Sequence, residues 1–164
     1  MDFDLQIEVA TRLLVKYIPE ESTRKKHIIP HALRVFFSLK RLGYSQDVQL
    51  AGLLHDIIEW SDVSPDKIKD EFGERVLEIV RANTKDVAIE NSSERRLDTV
   101  ARCAQIGLDG LAVKAADILD SYAHYTQRED EAELARCIDL GVMVLSHITN
   151  NERDGIFLEL QAIT

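Results

Sequence analysis

Residues 50–62 are the stretch that most constrains how this chain can fold, because they are apolar on almost every side of a helix. Such a helix belongs in the middle of a hydrophobic core. The stretch nevertheless contains His55, Asp56 and Glu59, and burying these polar groups is costly unless another group compensates. A divalent metal ion would compensate. His55 and Asp56 lie about 100° apart around a helix and can reach one ion, and Glu59 lies one turn beyond His55.

Apolar residues recur at helical spacing along nearly the whole chain, and no alternating pattern of useful length predicts a strand. Pro19 ends the first helix, Pro30 begins the second, and the pair Asp109-Gly110 is typical of a turn. The sequence therefore predicts an all-α fold, a compact multi-helix bundle, as a single domain over residues 1–164. The expected helices cover residues 3–17, 30–42, 46–62, 65–72, 76–83, 93–104, 111–125, 132–148 and 152–163.

Composition limits the classes of partner. The formal net charge of −9 argues against nucleic acid or an anionic membrane as the main partner, because both require a basic surface. A small phosphorylated ligand is not excluded, since a metal and a local basic patch can override the net charge. The chain begins without the pattern of a signal peptide, and no apolar stretch has the length of a transmembrane helix. Cys103 and Cys137 are expected to be buried, reduced thiols of a cytoplasmic protein. The oligomeric state stays open, a homo-oligomer included.

Two further polar residues can complete a metal site. His31 lies in the first turn of the second helix, and Asp117 lies in the middle of an otherwise apolar helix. Together with His55 and Asp56 they offer two imidazoles and two carboxylates, which leave room for waters around a six-coordinate ion such as Mn²⁺. A site with open positions suits metal-assisted hydrolysis, in which the ion polarises a phosphoryl oxygen. Without the ion, the two buried carboxylates would repel each other.

The order His…His-Asp…Asp on a helical bundle resembles the HD-domain metal phosphohydrolases. The similarity is strongest to the hydrolase domain of RelA/SpoT-type proteins. It extends over roughly residues 24–125 and rests on four segments, which are residues 51–59, 62–73, 80–86 and 112–119. The resemblance implies removal of the 3′-pyrophosphate from guanosine tetra- or pentaphosphate, usually with Mn²⁺. It also implies a small stand-alone hydrolase, because no synthetase or regulatory domain follows.

Glu59 is the expected catalytic residue, which would orient the attacking water. The RelA/SpoT-type branch has an acidic pair at this position, whereas this chain has Glu59-Trp60. Half of the pair implicated in water activation is therefore missing, and Asp62, two residues on, would point elsewhere on a continuing helix. Trp60 fits a packing role or a base-stacking role equally well.

Substrate contacts are expected from Arg24, Lys25 and Ser121. An Arg-Lys pair precedes the first His in the branch, and Arg24, Lys25 and Lys26 are the candidates here, although they lie closer to His31 than the branch spacing. This basic run would bind phosphate, or it would be an ordinary solvated loop. Ser121 replaces an Asn of the branch and can make fewer hydrogen bonds to a nucleotide.

Three further polar residues lie on the helix of Asp117. Lys114 and His124 lie on roughly the face of Asp117, or they are ordinary surface residues, and Asp120 is expected to face away. Two other functions stay open beside guanosine polyphosphate hydrolysis. One is a nucleotidase or phosphomonoesterase of the HD superfamily. The other is a catalytically weak nucleotide-binding module, which Trp60 favours.

Overall fold

The computed structural model describes residues 2–21, 23–153 and 155–164, and this part of the chain contains helices and no strand. The predicted all-α fold is confirmed. The helices are α1 (Phe3–Tyr17), α2 (Ile28–Arg41), α3 (Gln46–Leu54), α4 (Ile57–Trp60), α5 (Pro65–Phe72), α6 (Glu74–Asn83), α7 (Ser92–Ile106), α8 (Leu108–Thr126), α9 (Glu131–Leu145) and α10 (Gly155–Gln161), with a single 3₁₀ turn at Asn150–Glu152 before α10.

Local capping residues set several helix ends. Ser45 caps α3 by accepting a hydrogen bond from the amide of Val48 (3.4 Å), and Ser64 caps α5 by accepting one from the amide of Asp66 (3.2 Å). Gly73 separates α5 from α6 with a φ of +92°, a left-handed conformation that glycine adopts without the usual steric penalty. These helix ends agree with the prediction.

The single helix expected over residues 46–62 is wrong at its centre. α3 ends at Leu54 and α4 begins at Ile57, so that His55 and Asp56 form the turn between them. In a continuous helix, the carbonyl of Gly52 would accept a hydrogen bond from the amide of Asp56. Here that carbonyl accepts from Nδ1 of the His55 ring at 2.7 Å, so a side chain takes the place of a backbone donor.

The turn predicted at Asp109-Gly110 is also wrong, because both residues lie in the first turn of α8. The chain instead turns at Gly107, which has a φ of +95°. Gly110 serves close packing: a Cβ atom there would lie 2.6 Å from the backbone oxygen of Cys103 in α7. The absence of a side chain at Gly110 lets α7 and α8 approach each other.

The C-terminal segment is less regular than predicted. α9 stops at Leu145, short of the expected end at residue 148. The helix expected over residues 152–163 is represented by the 3₁₀ turn and α10, and Asp154 between them lies outside the described residues. Cys103 and Cys137 are free and buried, as predicted, and burial raises the pKa of each thiol to about 11.

Two largely buried helices, α3 and α8, position the polar residues of the candidate site. α3 is buried from Val48 to Leu54, and α8 is buried over residues 110–116. Each fully buried leucine of α3 contributes about 1.5–3 kcal/mol to folding. Because α2, α3 and α8 contact one another in all three pairings, polar side chains on their facing sides converge at one place. Among the helices of the described residues, none combines the length and apolarity needed to cross a bilayer.

Candidate metal centre

Three elements bring three of the four predicted metal ligands together. His31 comes from the first turn of α2, His55 from the turn after α3, and Asp117 from the middle of α8. Nε2 of His31 lies 3.2 Å from Nε2 of His55 and 3.1 Å from Oδ1 of Asp117. One donor atom from each residue lies within 4.8 Å of the others, which is close enough for all three to bind one ion.

Asp56, the fourth predicted ligand, lies at the edge of this group. Its Oδ2 atom is 3.5 Å from Nε2 of His55 and 3.8 Å from Nε2 of His31. Burial alone would raise the pKa of Asp56, but the neighbouring His55 contributes in the opposite direction, and the net effect lowers the pKa. The carboxylate therefore carries its charge beside the two imidazoles. Its role as a ligand stays a prediction.

Hydrogen bonds at the far side of each imidazole determine which ring nitrogen is available. Nδ1 of His55 must be the donor to the Gly52 carbonyl, because a carbonyl only accepts. Nδ1 of His31 lies 2.6 Å from Oδ2 of Asp120, whose carboxylate also accepts. Both Nε2 atoms are then left with a lone pair, and they face each other at 3.2 Å. Two facing lone pairs with adjacent carboxylates are the arrangement that a shared cation satisfies, so the residues fit a divalent metal.

Asp120 was expected to face away from the centre, and this prediction is wrong. Besides His31, the carboxylate of Asp120 binds the guanidinium of Arg34 through two hydrogen bonds, of 2.6 Å and 3.0 Å. Burial raises the pKa of Asp120, but the hydrogen bonds from His31 and Arg34 outweigh burial and lower it. Asp120 lies three residues after Asp117 on the same helix, and this spacing was the signal in the sequence that could have identified it.

The two basic residues expected to bind substrate do not reach the three clustered ligands. The guanidinium of Arg24 donates to the carbonyl of Pro19 (3.0 Å) and stacks on the ring of Trp60, 5.1 Å from its centroid. Lys25 forms an ion pair with Asp130 (3.2 Å). Both nevertheless line the cavity described below, so contact with a bound phosphate stays a prediction.

Lys26 is the member of the basic run that enters the centre. Its Nζ atom lies 2.7 Å from Oγ of Ser121, 3.1 Å from Nε2 of His31 and 3.6 Å from Oδ1 of Asp117. Ser121 is buried, and its hydroxyl also lies 3.4 Å from Oδ1 of Asp117. Both Ser121 and Lys26 therefore lie within contact distance of the clustered ligands.

Two more lysines engage the acidic groups of the site. Lys85 donates to Oε1 of Glu59 (2.8 Å), and this pair lines the cavity. Lys114 was expected either to share the face of Asp117 or to be an ordinary surface residue. It is buried, and its Nζ atom lies 3.1 Å from Oδ2 of Asp117. Burial would lower the pKa of Lys114, but Asp117 raises it above its ordinary value. His124 lies farther out and bonds to the backbone oxygen of Lys25 (2.9 Å).

A cavity of about 590 Å³ opens beside these residues. Its size is that of a pocket for a small ligand. Asp56, Glu59 and Asp117 line this cavity together with basic side chains that include Lys85 and Arg96. A ligand that carries phosphate groups would find acidic metal-binding groups and basic side chains in the same cavity.

We expect metal binding to weaken in mild acid because of His31. Burial lowers the pKa of His31, but its hydrogen bonds to Asp117 and Asp120 raise it by more, to a net value above 6.5. Protonation of His31 therefore stabilises the metal-free fold fully below about pH 6.5, and this contribution is lost as the pH rises through the raised pKa. A metal needs the neutral ring, so its affinity should fall about tenfold per pH unit below that pKa.

The rise in melting temperature caused by a fixed Mn²⁺ concentration should consequently be larger at pH 8 than at pH 5.5. Asp120→Asn removes one of the interactions that raise the pKa of His31, and should move this dependence to lower pH. Differential scanning fluorimetry across this range measures both effects. An equal or larger thermal shift at pH 5.5 would contradict the assignment of His31 as a ligand.

Residues 8–136 match the family model described as the HD domain, which covers well over half of the chain.

Two curated relatives are similar over shorter stretches. A guanosine-3′,5′-bis(diphosphate) 3′-pyrophosphohydrolase of Aquifex aeolicus is 38% identical over 76 residues, which are 46% of this chain and 11% of that protein. The guanosine-3′,5′-bis(diphosphate) 3′-pyrophosphohydrolase MESH1 of Drosophila melanogaster is 29% identical over 103 residues, which are 63% of this chain and 56% of that protein. The chain thus spans about a tenth of one relative and just over half of the other.

Solved structures share the fold. A metazoan ortholog of SpoT, described as hydrolysing ppGpp and playing a role in starvation responses, superposes with a TM-score of 0.75 at 20% identity, covering 98% of this chain and 92% of that one. The protein lmo0812 of Listeria monocytogenes EGD-e gives a TM-score of 0.69 at 21% identity, covering 88% of this chain and 96% of that one. At these identities the similarity establishes the helical architecture.

Proposed function

The chain belongs to the HD-domain family, and on this premise we propose that it is a metal-dependent phosphohydrolase acting on a phosphorylated nucleotide. The observation that carries the proposal is the pair of imidazole Nε2 atoms, 3.2 Å apart, that lie beside Asp117 at a cavity whose lining includes basic side chains. A divalent ion, for which we propose Mn²⁺, would be held by His31, His55 and Asp117, with Asp56 as the fourth ligand.

The proposed substrate is guanosine 3′,5′-bis(diphosphate), with release of its 3′-pyrophosphate. Support comes from the two curated relatives, which both carry this activity in their names, and from sequence similarity that reaches 38% identity. We also propose that residues 1–164 form one domain and that the protein is cytoplasmic, in keeping with two free thiols.

In the proposed mechanism, His31, His55, Asp56 and Asp117 would hold a divalent ion, and the chemistry that the ion would supply when bound is Lewis-acid polarisation of a phosphoryl oxygen. Asp120 and Gly52 hold the two imidazoles in the tautomers that direct Nε2 inward. Glu59 orients a water for attack on the phosphorus that is bonded to the 3′-oxygen and takes up a proton of that water at a carboxylate oxygen, while Lys85 positions the carboxylate. The bond between this phosphorus and the 3′-oxygen breaks, pyrophosphate leaves, and the 3′-oxygen of the remaining guanosine diphosphate gains a proton. Arg24 and Lys25 turn from their present partners toward substrate phosphate, and Ser121 offers its hydroxyl to the nucleotide.

A hydrolysis screen in the presence of Mn²⁺ tests the proposal. Guanosine tetraphosphate, nucleoside monophosphates and nucleoside triphosphates would be supplied separately, and phosphorus NMR would identify the products. Pyrophosphate and a guanosine 5′-diphosphate product from the first substrate alone would support the proposed substrate. Orthophosphate from monophosphates would identify a nucleotidase instead.

One observation favours a second candidate, a nucleotide-binding module with weak turnover. Trp60 is 39% exposed at the cavity, where the RelA/SpoT-type branch has an acidic residue, and its ring is stacked with Arg24. Such a surface can bind a base without helping to activate water. Tight binding of a nucleotide with no product in excess Mn²⁺ would support this candidate over the enzyme.

Glu59→Gln is expected to lower kcat by about 10²–10⁴-fold while leaving Mn²⁺ affinity within about twofold of the wild type. The amide keeps the size of the side chain and can still bond to neighbours, but it cannot take up a proton. Steady-state kinetics and isothermal titration calorimetry measure the two quantities. Glu71→Gln, in α5 and paired with Lys67, is the matched control and should change neither. A Glu59→Gln variant with unchanged kcat would remove Glu59 from the mechanism.

A further inference from the structure

The three consecutive basic residues before α2 differ sharply in what they contact. Arg24 and Lys25 bind backbone or carboxylate groups away from the clustered ligands. Lys26 instead directs its ammonium group into the cluster, and its side chain is only 15% exposed. Positive charge alone does not explain why Lys26 reaches the cluster, because Arg24 and Lys25 are also basic and do not. The difference arises from the path of the backbone into α2, which directs only the side chain of Lys26 toward the cluster.

The atoms that Lys26 contacts are the atoms that a metal would need. Nζ of Lys26 lies 3.1 Å from Nε2 of His31, the ring nitrogen that carries the inward-directed lone pair. It lies 3.6 Å from Oδ1 of Asp117. Oδ1 is also the carboxylate oxygen nearest to both imidazoles. Lys114 binds the other oxygen of the same carboxylate, Oδ2, at 3.1 Å. The two lysines are therefore not equivalent: Lys114 leaves the metal-binding oxygen free, and Lys26 does not.

We propose that Lys26 is a tethered cation that occupies the metal centre in the metal-free protein and competes with the divalent ion for His31 and Asp117. The inference rests on the metal centre of the proposed function. An ammonium group and a divalent ion within about 4 Å repel each other strongly in a partly buried site, so both cannot keep this position. Metal binding must therefore displace the ammonium, and the measured metal affinity is reduced by the free energy of that displacement.

The surroundings of Lys26 allow the side chain to leave while its backbone stays. The backbone oxygen of the preceding residue, Lys25, is bonded to the ring of His124 (2.9 Å), which anchors the chain beside α8. Lys26 itself lines the cavity and has a flexible four-carbon stem. An ammonium group that the metal displaces thus stays within the cavity. In the metal-free protein, where the ammonium group has not been displaced, it offsets the repulsion between Asp56 and Asp117.

Lys26→Met tests this proposal, because methionine keeps most of the stem and removes the charge. Lys25→Met is the matched control. It removes the same charge at the neighbouring position, where the lysine is paired with Asp130 and not with the clustered ligands. Chelator-treated protein would be titrated with MnCl₂ by calorimetry and melted with and without Mn²⁺. Lys26→Met should bind Mn²⁺ at least about tenfold more tightly than the wild type, and its metal-free form should melt at a lower temperature. Lys25→Met should match the wild-type affinity.

The outcomes separate this inference from the proposed function. Equal or weaker Mn²⁺ binding by Lys26→Met, with binding intact in the wild type, would overturn the competition and leave the metal centre standing. Absence of Mn²⁺ binding in the wild type and in every variant would overturn the metal centre itself. Lys26→Gln gives a second measurement if the methionine variant does not fold, because it retains a hydrogen-bond donor for Ser121. It too must bind Mn²⁺ more tightly than the wild type, or the proposal is wrong.

Discussion

Asp56→Ala is expected to reduce phosphohydrolase turnover by at least about 10³-fold and to remove bound metal at the same time, with the helical fold retained. The carboxylate of Asp56 faces the Nε2 atoms of both imidazoles, at 3.5 Å and 3.8 Å. In the proposed site the substitution removes one of the anionic ligands, so the affinity for a divalent ion should fall, and with it the electrostatic stabilisation that the ion would give the reacting phosphoryl group.

The fold should survive this substitution because Asp56 has little structural function. It precedes α4 without a capping hydrogen bond from its side chain. Metal content would be measured by mass spectrometry of the purified protein, turnover by product release, and folding by circular dichroism. Asp62→Ala is the control, since Asp62 is exposed and lies past the end of α4. Full activity in Asp56→Ala would eliminate Asp56 from the site.

Three residues of the cluster could be predicted from sequence for a common physical reason. His31, His55 and Asp117 are polar groups within otherwise apolar stretches of the sequence, and a buried polar group requires a partner. This reasoning does not need the angles between helices, because any arrangement that buries three such faces brings the polar groups to the same core. Their order along the chain then indicated the family resemblance.

Asp120 and Lys26 could not be assigned in that way. The spacing of three residues from Asp117 indicates roughly the same face of α8, but whether Asp120 reaches His31 depends on the rotation of α8 about its axis, to which packing against α2 and α9 contributes. The position of Lys26 depends on the path of the loop before α2, for which periodicity carries no information. The break between α3 and α4 was missed because neither of its residues, His55 and Asp56, is a glycine or a proline; it is accompanied instead by a hydrogen bond from the His55 ring to the Gly52 carbonyl.

Asp117→Asn is expected to have the largest effect on stability, lowering the free energy of unfolding of the metal-free protein by about 3–5 kcal/mol. Asp117 is the partner of the buried ammonium of Lys114. Burial raises the pKa of Asp117, but Lys114 and Lys26 outweigh burial and hold it well below the usual range. The charge of Asp117 therefore stabilises the fold above about pH 4, and this contribution is lost as the pH falls through the lowered pKa.

A double variant distinguishes the structural role of Asp117 from its role as a ligand. Asp117→Asn leaves the Lys114 charge buried without its counter-ion, so Asp117→Asn with Lys114→Met should recover much of the lost stability, because no unpaired charge then remains. Metal binding should stay lost in both variants, since the amide offers no anionic oxygen. Urea denaturation and Mn²⁺ titration measure the two properties separately. If the single variant loses less than about 1 kcal/mol, the buried pair contributes little to the fold, and Asp117 acts at the centre through its oxygen alone.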